Sequence, residues 1–326
     1  MTASGYPSTS RPSGFHSDLY EQGVQVQSYD QSGGGSVYPA DEMEPMFDAP
    51  PEEGPVVPQG GRSLPGARDG IFQGGNIGVT WLAGSDLQMV DVLAQASFGL
   101  PFPSREAPVV FTPGYGLHAL DGPVGLDVPG ELHDAWLEAR FPRQLSERLL
   151  LDIAVAPGYY SDFERRSDNA LRITGRAVAI YNWTPTTKLA LGVVYLDRND
   201  VTVLPAAGIT WQPSPDRRIE LIFPRPRFAF RTYRFEALDR TGAEWWYYIA
   251  GEFGGGTWST VRADDTLDEL TYHDYRVVFG LERKPTGLNP SRIETAYVFG
   301  RALEYASDEQ EFEVDDTLFA RLVWGF

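Results

Sequence analysis

The sequence predicts an all-β fold: an antiparallel up-and-down β-barrel preceded by an acidic tail. From residue 70 onward apolar residues alternate with polar ones at a period of two, and almost no segment keeps the 3.6-residue period of a helix. The alternation continues to the last residue, so the final strand must be paired and its apolar face must meet apolar surroundings. We expect that strand to close the barrel against the first one, near residues 71–83.

The first 68 residues differ in composition from the rest and are rich in Pro, Gly, Ser and acidic residues, as in SYDQSGGGSVYPADEMEPMFDAPPEEG. Such a stretch cannot bury enough apolar surface to offset the entropy lost on ordering it. We therefore expect a disordered acidic tail in residues 1–68 and one β-barrel domain in residues 70–326. The tail shows neither the charged nor the apolar region of a signal peptide.

Thirteen alternating segments bounded by turn residues are predicted as strands: 71–83, 86–100, 108–119, 132–142, 148–160, 170–184, 187–198, 201–213, 217–234, 244–259, 270–283, 291–305 and 315–326. A single-chain barrel normally has an even number. The segment 217–234 contains Pro224 and Pro226, which cannot donate ladder hydrogen bonds, so it is expected to split into a short hairpin. The split gives 14 strands, the preferred number, whereas 12 would result from one long bulged strand and one false prediction.

The two faces of these strands point to a membrane rather than a soluble β-sandwich. One face is apolar and the other carries charges of both signs, a pattern that suits lipid outside and a polar lumen inside. Tight connections alternate with longer charged ones, and the last strand ends in an aromatic residue. Aromatic residues also gather near strand ends, as expected of interfacial girdles: Trp81, Trp183, Tyr195, Trp211, Trp245, Trp246, Tyr247, Tyr248, Trp258, Trp324 and Phe326.

The charged residues of the polar face are the candidate site. Their balanced signs leave two interpretations open, namely a charged pore that steers ions or a salt-bridged plug of arginine forks and carboxylates. The residues placed in the lumen by the alternation are Asp134, Glu138, Arg140, Asp152, Arg172, Arg176, Arg218, Glu220, Arg231, Glu252, Asp274, Arg276, Glu282, Glu294 and Arg321.

Several stretches resemble a domain-of-unknown-function family of bacterial outer-membrane β-barrel proteins. They are LRITGRAVAIYNWTP, LGVVYLDRNDVTVLPAAGITWQPSPD, FPRPRFAFR, AGEFGGGTW, YVFGRALEY and DDTLFARLVWGF, within residues 75–326. The resemblance implies a barrel in the bacterial outer membrane and implies no substrate or catalytic residue.

Composition and motifs exclude several classes of function. The net charge of −18 argues against a nucleic-acid partner, and the absence of cysteine removes disulfides, thiolate metal sites and a cysteine nucleophile. No nucleophile elbow, zinc-protease motif or phosphate loop is present. His133 and Asp134, and likewise His273 and Asp274, are adjacent in strands and point to opposite faces, so neither pair can share a proton. We expect no catalytic residue, no metal and no cofactor. We interpret Gly254–Gly256 as a bulge or a close backbone approach at a barrel bend.

Three functional hypotheses follow. The preferred one is a passive channel or transporter for small polar solutes in the outer membrane. The alternatives are a non-conducting barrel that anchors or scaffolds and a soluble lipocalin-like binding barrel. The expected partners are outer-membrane lipid and the barrel-assembly machinery. Leu322, Trp324 and Phe326 are predicted to form the C-terminal signal that this machinery recognises.

Overall fold

The chain folds into a β-barrel in which each strand follows one of the alternating segments. The computed structural model describes residues 71–104, 107–122, 127–239, 241–285, 288–308 and 311–326, so the predicted tail lies outside the described residues. The strands are β1 (Phe72–Leu82), β2 (Gln88–Ser104), β3 (Ala107–Asp121), β4 (Glu131–Gln144), β5 (Leu149–Ser161), β6 (Leu171–Thr184), β7 (Thr187–Tyr195), β8 (Val203–Ser214), β9 (Arg217–Ile222), β10 (Arg227–Arg231), β11 (Glu244–Val261), β12 (Leu267–Lys284), β13 (Ser291–Tyr305), β14 (Glu311–Val314) and β15 (Thr317–Gly325).

From β1 to β14 each strand pairs antiparallel with the next one in the chain, and the ladder closes where β1 meets β15, with Asn76 opposite Gly325. β14 and β15 both pair with β13 and are separated by two residues, so they form one interrupted wall strand. The barrel therefore has 14 strands, and the preferred prediction is confirmed. The closing role of the C-terminal strand is confirmed as well.

The predicted break at Pro224 and Pro226 is also present. β9 and β10 contain 6 and 5 residues and form a hairpin that reaches only part of the way up the wall. The ladder between β8 and β9 stops at Gly208, and the one between β10 and β11 stops at Ala250. The far parts of β8 and β11 are thus left without this hairpin between them.

The two ends of the barrel differ in their connections. At the end that holds Phe72 and Phe326, here called the near end, the connections 145–148, 185–186 and 215–216 are tight. At the opposite, far end the connections 122–130 and 162–170 are longer, and the second contains the 3-10 turn Asp168–Ala170. The longest near-end connection, 232–243, contains the short helix α1 (Tyr233–Glu236). No helix in the described part of the chain has the length and apolar character to cross a membrane.

The faces of the wall are segregated as a membrane barrel requires. The outer face presents large apolar side chains such as Leu191, Ile293 and Trp324, which are 71%, 62% and 70% exposed, whereas Glu138 and Arg140 are buried inside at 1%. This distribution of apolar residues outside and charges inside is typical of transmembrane β-barrels.

The aromatic prediction needs one correction. Trp246, Tyr248 and Trp258 are buried inside the barrel and do not belong to an interfacial girdle. β11 alternates its faces, so that Tyr247 points outward while its neighbours on either side point inward.

An apolar core also covers the inner face of β6 to β9. It is formed by Val178, Ile180, Ala190, Val194, Ala206 and Ile222.

Candidate functional site: the filled interior of the barrel

The far halves of β11 and β12 do not behave as wall strands. In the half of β11 that lies toward the near end of the barrel, buried and more exposed residues alternate. From Thr257 to Thr260, in contrast, four consecutive side chains are buried. A wall strand shows one face to the outside, so burial of both faces indicates that this segment lies within the barrel. We call residues 255–273 the lid.

The width of the barrel shows how far the lid must bend. Fourteen strands spaced by about 4.8 Å and tilted by about 40° give a backbone diameter of roughly 28 Å. β11 and β4 are seven strands apart in either direction, so they belong to opposite walls. Side chains alone cannot span that distance, yet the Trp258 indole N–H of β11 donates to Asp134 Oδ1 of β4 at 2.6 Å. The lid therefore crosses the lumen.

A histidine between two carboxylates completes this contact. His118 of β3 lies 2.8 Å from Asp91 through Nδ1 and 3.1 Å from Asp134 through Nε2, and all three side chains are buried. Both ring nitrogens must donate to serve both carboxylates, which favours the imidazolium form. The Trp258 ring also contacts the His118 ring edge to face at 5.2 Å. We call Asp91, His118, Asp134 and Trp258 the latch.

The free edge of the lid makes further contacts with the opposite rim. Ser259 and Ser161 are register partners, and the Ser259 carbonyl accepts from the Asp162 backbone N–H at 3.2 Å. The Asp162 carboxylate in turn accepts from the Val261 N–H at 2.6 Å. At the tip, Arg262 donates to Asp127 at 3.0 Å. Beyond the end of the short β9–β10 hairpin, β11 is thus held by these contacts with the opposite rim and not by a neighbouring strand.

The bend that creates the lid follows a line across three adjacent strands. On β11, Gly255 has φ +106°, and a Cβ there would lie 1.9 Å from the Tyr272 carbonyl oxygen. On β12 the register with β13 shifts between His273 and Tyr275, and on β13 Gly300 has φ +57°. Because Gly255 and His273 are register partners, these irregularities lie at one level. These irregularities mark a bend in the sheet, and Gly255 is the position of the predicted Gly254–Gly256 stretch where the backbone approaches Tyr272 most closely.

Below the lid, an ion-pair belt fills one side of the interior, from β15 to the tip of the β9–β10 hairpin. Arg321 of β15 pairs with Glu294 of β13 and donates to Glu252 of β11 at 2.9 Å. Arg225, at the tip of the short hairpin, pairs with Glu252 and lies 3.6 Å from Glu294. The Tyr248 hydroxyl also donates to Glu294. All of these side chains are largely buried, so they fill the interior instead of lining open water.

A second ion-pair cluster lies on β4 to β6. Arg140 donates to Asp152 at 2.6 Å, and Arg176 joins Asp152 at 3.0 Å to Glu138 at 2.9 Å. Each carboxylate that is removed from water is matched by a guanidinium, which is the condition under which buried charge is tolerated.

The other predicted lumen residues are more scattered. Asp274 and Arg276 pair with each other at 2.7 Å beside the bend. Glu282 accepts from Arg227 at 2.6 Å, and Arg218 pairs with its neighbour Glu220 at 2.7 Å. Two further residues bind loops near the ends. Arg172 donates to the Asp197 carbonyl at the far end, and Arg231 pairs with Glu236 and Glu244 at the near end.

Several interior residues escaped the sequence analysis. Asp91, His118 and Trp258 meet only through cross-strand register and the bend. Arg225 lies between Pro224 and Pro226, where the predicted segment 217–234 splits, and was not assigned to the lumen. His133 and His273 contact other groups than the aspartates next to them in sequence. His133 Nδ1 lies 2.7 Å from the Tyr115 hydroxyl, and His273 lies 3.4 Å from Glu311. A signal for Trp258 was available, since it lies two residues after three consecutive glycines.

The three C-terminal residues of the predicted assembly signal lie on the outer face. Leu322, Trp324 and Phe326 are exposed, and the Phe326 ring stacks on Phe72 with centroids 6.2 Å apart. The Phe326 backbone exchanges two hydrogen bonds with Gly75. The last residue is therefore part of the closed ladder.

The interior offers no evident metal centre. Within the described ranges, no group of three or more His, Asp or Glu side chains could hold a metal ion. The charged groups of the belt and the latch are instead paired with each other.

Comparison with known proteins adds little to this description. No protein-family model and no curated protein matches the chain. Among solved structures, the chain is similar to one from a study of the "Mechanism Behind the in-meso Crystallization of Membrane Proteins", with 12% identity and a TM-score of 0.29 over 78% of this chain and 83% of that one. A likeness of that size supports no argument about this chain.

Proposed function

We propose that this protein is a β-barrel of the bacterial outer membrane whose interior is closed, and that it acts as a non-conducting anchor or scaffold in the cell envelope. The observation that carries the proposal is the lid that crosses the lumen to β4, together with the buried ion pairs that fill the interior below it. A pore that passes solutes needs charged walls in contact with water. Here Glu252, Glu294 and Arg321 are buried and paired.

The membrane location is supported by the outer face. A soluble barrel of the lipocalin type would keep its apolar side chains inside and would not expose a continuous apolar wall. This barrel exposes aromatic residues such as Trp81, Trp183 and Trp211 and buries its charges. Lipid is therefore the partner that the outer face fits.

Conductance tests the closed interior. The full chain, refolded in detergent and reconstituted in a planar bilayer, should give no regular conductance steps. A change of gel mobility on boiling would show that the reconstituted protein is a closed barrel. Stable conductance steps from the unmodified protein would overturn the proposal and favour a passive channel for small polar solutes.

That channel remains a second candidate because of one observation. The far-end closure is made by a bent part of the wall itself, with Gly255 at the bend, rather than by a separate plug domain. A wall segment that bends inward at glycine could return to the wall.

A further inference from the structure

We infer that the lid is a hinged element that opens and closes in the folded barrel, and that the latch of Asp91, His118, Asp134 and Trp258 controls its closed state. This inference rests on the proposed closed barrel and goes beyond it. It assigns the closure to a movable part of the wall and to a specific set of contacts.

The first argument is where the lid is attached. It continues into the wall through β12 and the end of β13, and Leu270 remains paired with Tyr305. Its other edge, on β11, has no full strand partner in the closed state, because its bridge to β5 consists of the single pair Ser259 and Ser161. A sheet segment held along one edge and weakly paired along the other can rotate about its bend.

The second argument is that the bend is built for rotation and not only for shape. Gly255, the register shift near His273 and Gly300 form one line across the sheet, so the three strands can turn together. Residues on both sides of the line keep regular ladder pairing. Motion about the line would therefore break few hydrogen bonds within the lid itself.

The third argument is that the contacts across the lumen are specific. The connection 196–202 also holds the lid, since Arg198 donates to the Gly254 and Tyr272 carbonyls at 3.1 Å. Glu269 of the lid accepts from Asn199 at 2.7 Å and lies 3.3 Å from Arg172. Across the lumen, the Trp258 N–H to Asp134 bond is the contact with the opposite wall that is most deeply buried, and His118 holds that carboxylate in place. The rim contacts of Arg262 and Asp162 are partly exposed. One unfavourable feature accompanies closure, since the Ser259 hydroxyl is buried and has no hydrogen-bond partner in the described part of the chain. Opening would return that hydroxyl to water.

Two buried positions separate lid opening from general unfolding. Ser161 lies under the lid edge and Ala206 lies on the inner face of β8, and both are 0% exposed. The chain has no cysteine, so Ser161→Cys and Ala206→Cys each introduce a single thiol of similar size. Lid opening exposes only the first thiol, whereas unfolding of the barrel exposes both.

The experiment measures labelling of the full chain, folded in detergent, by a bulky polar maleimide. We expect the thiol at position 161 to react at least about tenfold faster than the thiol at 206. Trp258→Phe keeps an aromatic ring but removes the N–H donor. It should raise labelling at 161 by about 10- to 100-fold and leave labelling at 206 unchanged. If the thiols at positions 161 and 206 are equally protected from labelling, both in the protein with Trp258 and in the Trp258→Phe variant, the inference is overturned.

A cross-link provides a second measurement that does not depend on the Trp258 variant folding. Ser161→Cys together with Ser259→Cys places thiols on register partners, and oxidation should join the lid to the wall. In that protein, a third cysteine at Leu132, which is buried in one apolar cluster with Trp258 and Leu270 of the lid, should be labelled only after the cross-link is reduced. Labelling at Leu132 that is the same before and after reduction would overturn the inference. Either failure would leave the closed barrel standing, whereas conductance of the unmodified protein would not.

Discussion

Removal of Arg321 tests whether the ion-pair belt holds the barrel together. Arg321 contacts Glu294 and Glu252, and the side chains of the three residues are 7%, 0% and 5% exposed. A hydrogen bond to a charged group contributes about 1.5–3 kcal/mol, and loss of one member of a buried pair costs about 3–5 kcal/mol. Arg225 stays beside both carboxylates and limits the loss. We therefore expect Arg321→Met to lower the free energy of unfolding by about 3–5 kcal/mol.

The assay is a urea titration of the reconstituted barrel, followed by tryptophan fluorescence and by gel mobility. Asp265→Asn is the matched control, because it also removes one ion pair with an arginine but at the surface. The side chains of Arg165 and Asp265 are 41% and 82% exposed, and an exposed pair contributes less than about 1 kcal/mol.

A double variant shows whether the cost comes from the uncompensated charge. Glu294→Gln added to Arg321→Met removes a carboxylate that the single change leaves with fewer partners. The double variant should therefore be more stable than the sum of the two single changes predicts, by at least about 1 kcal/mol. If Arg321→Met unfolds at the same urea concentration as Asp265→Asn, the belt does not carry the stability assigned to it.

Three further predictions concern the bend, the near-end connection and the closing strand. Gly255→Ala should cost about 2 kcal/mol or more in urea unfolding, because its positive φ disfavours a side chain, while Gly130→Ala, with open space around it, should be neutral. A hydrogen bond from Arg283 holds the pKa of Asp239 below its usual range. The contribution of Asp239 to the stability of the 232–243 connection is therefore present above the unfolded pKa of about 4 and is lost as the pH falls through the lower, folded pKa. Protease protection of this connection should be the same at pH 7 and pH 5, and Asp239→Asn should reduce that protection at both pH values. Deletion of Phe326 should impair assembly into membranes, measured as the heat-modifiable fraction, and normal assembly would count against its predicted role.

The strands were predictable because their signal is local. Period-two alternation needs only neighbouring residues, and Pro224 and Pro226 break a ladder wherever they occur. Closure followed from the unbroken stripe that ends at Phe326. These features fixed the strand number and the order of the wall without any knowledge of what fills it.

The lid and the latch depend on contacts that no local pattern encodes. The alternation of β11 predicts a straight wall strand through Trp258, and the inward turn becomes visible only when the opposite wall is in place. Asp91 and His118 are 27 residues apart and meet because their strands pair in one register. Aromatic residues near strand ends suggested a girdle, but composition does not show which face of a strand they occupy. Trp246 lies on the inner face and therefore does not belong to a girdle.

The size of the barrel explains why its interior needs arginine. Eight strands leave a lumen that ordinary side chains can fill, but fourteen enclose a space roughly 28 Å across. This chain fills it by bending one hairpin inward, by shortening another so that its tip at Arg225 enters the lumen, and by joining the parts with long, planar guanidinium groups. Of its 27 basic residues, only Lys188 and Lys284 are lysine. A guanidinium can bridge two carboxylates on different strands in a fixed geometry, as Arg176 and Arg321 do, which a lysine ammonium does less well. The same forks that fill the lumen therefore also join nearby wall strands, namely β4, β5 and β6 through Arg176 and β11, β13 and β15 through Arg321.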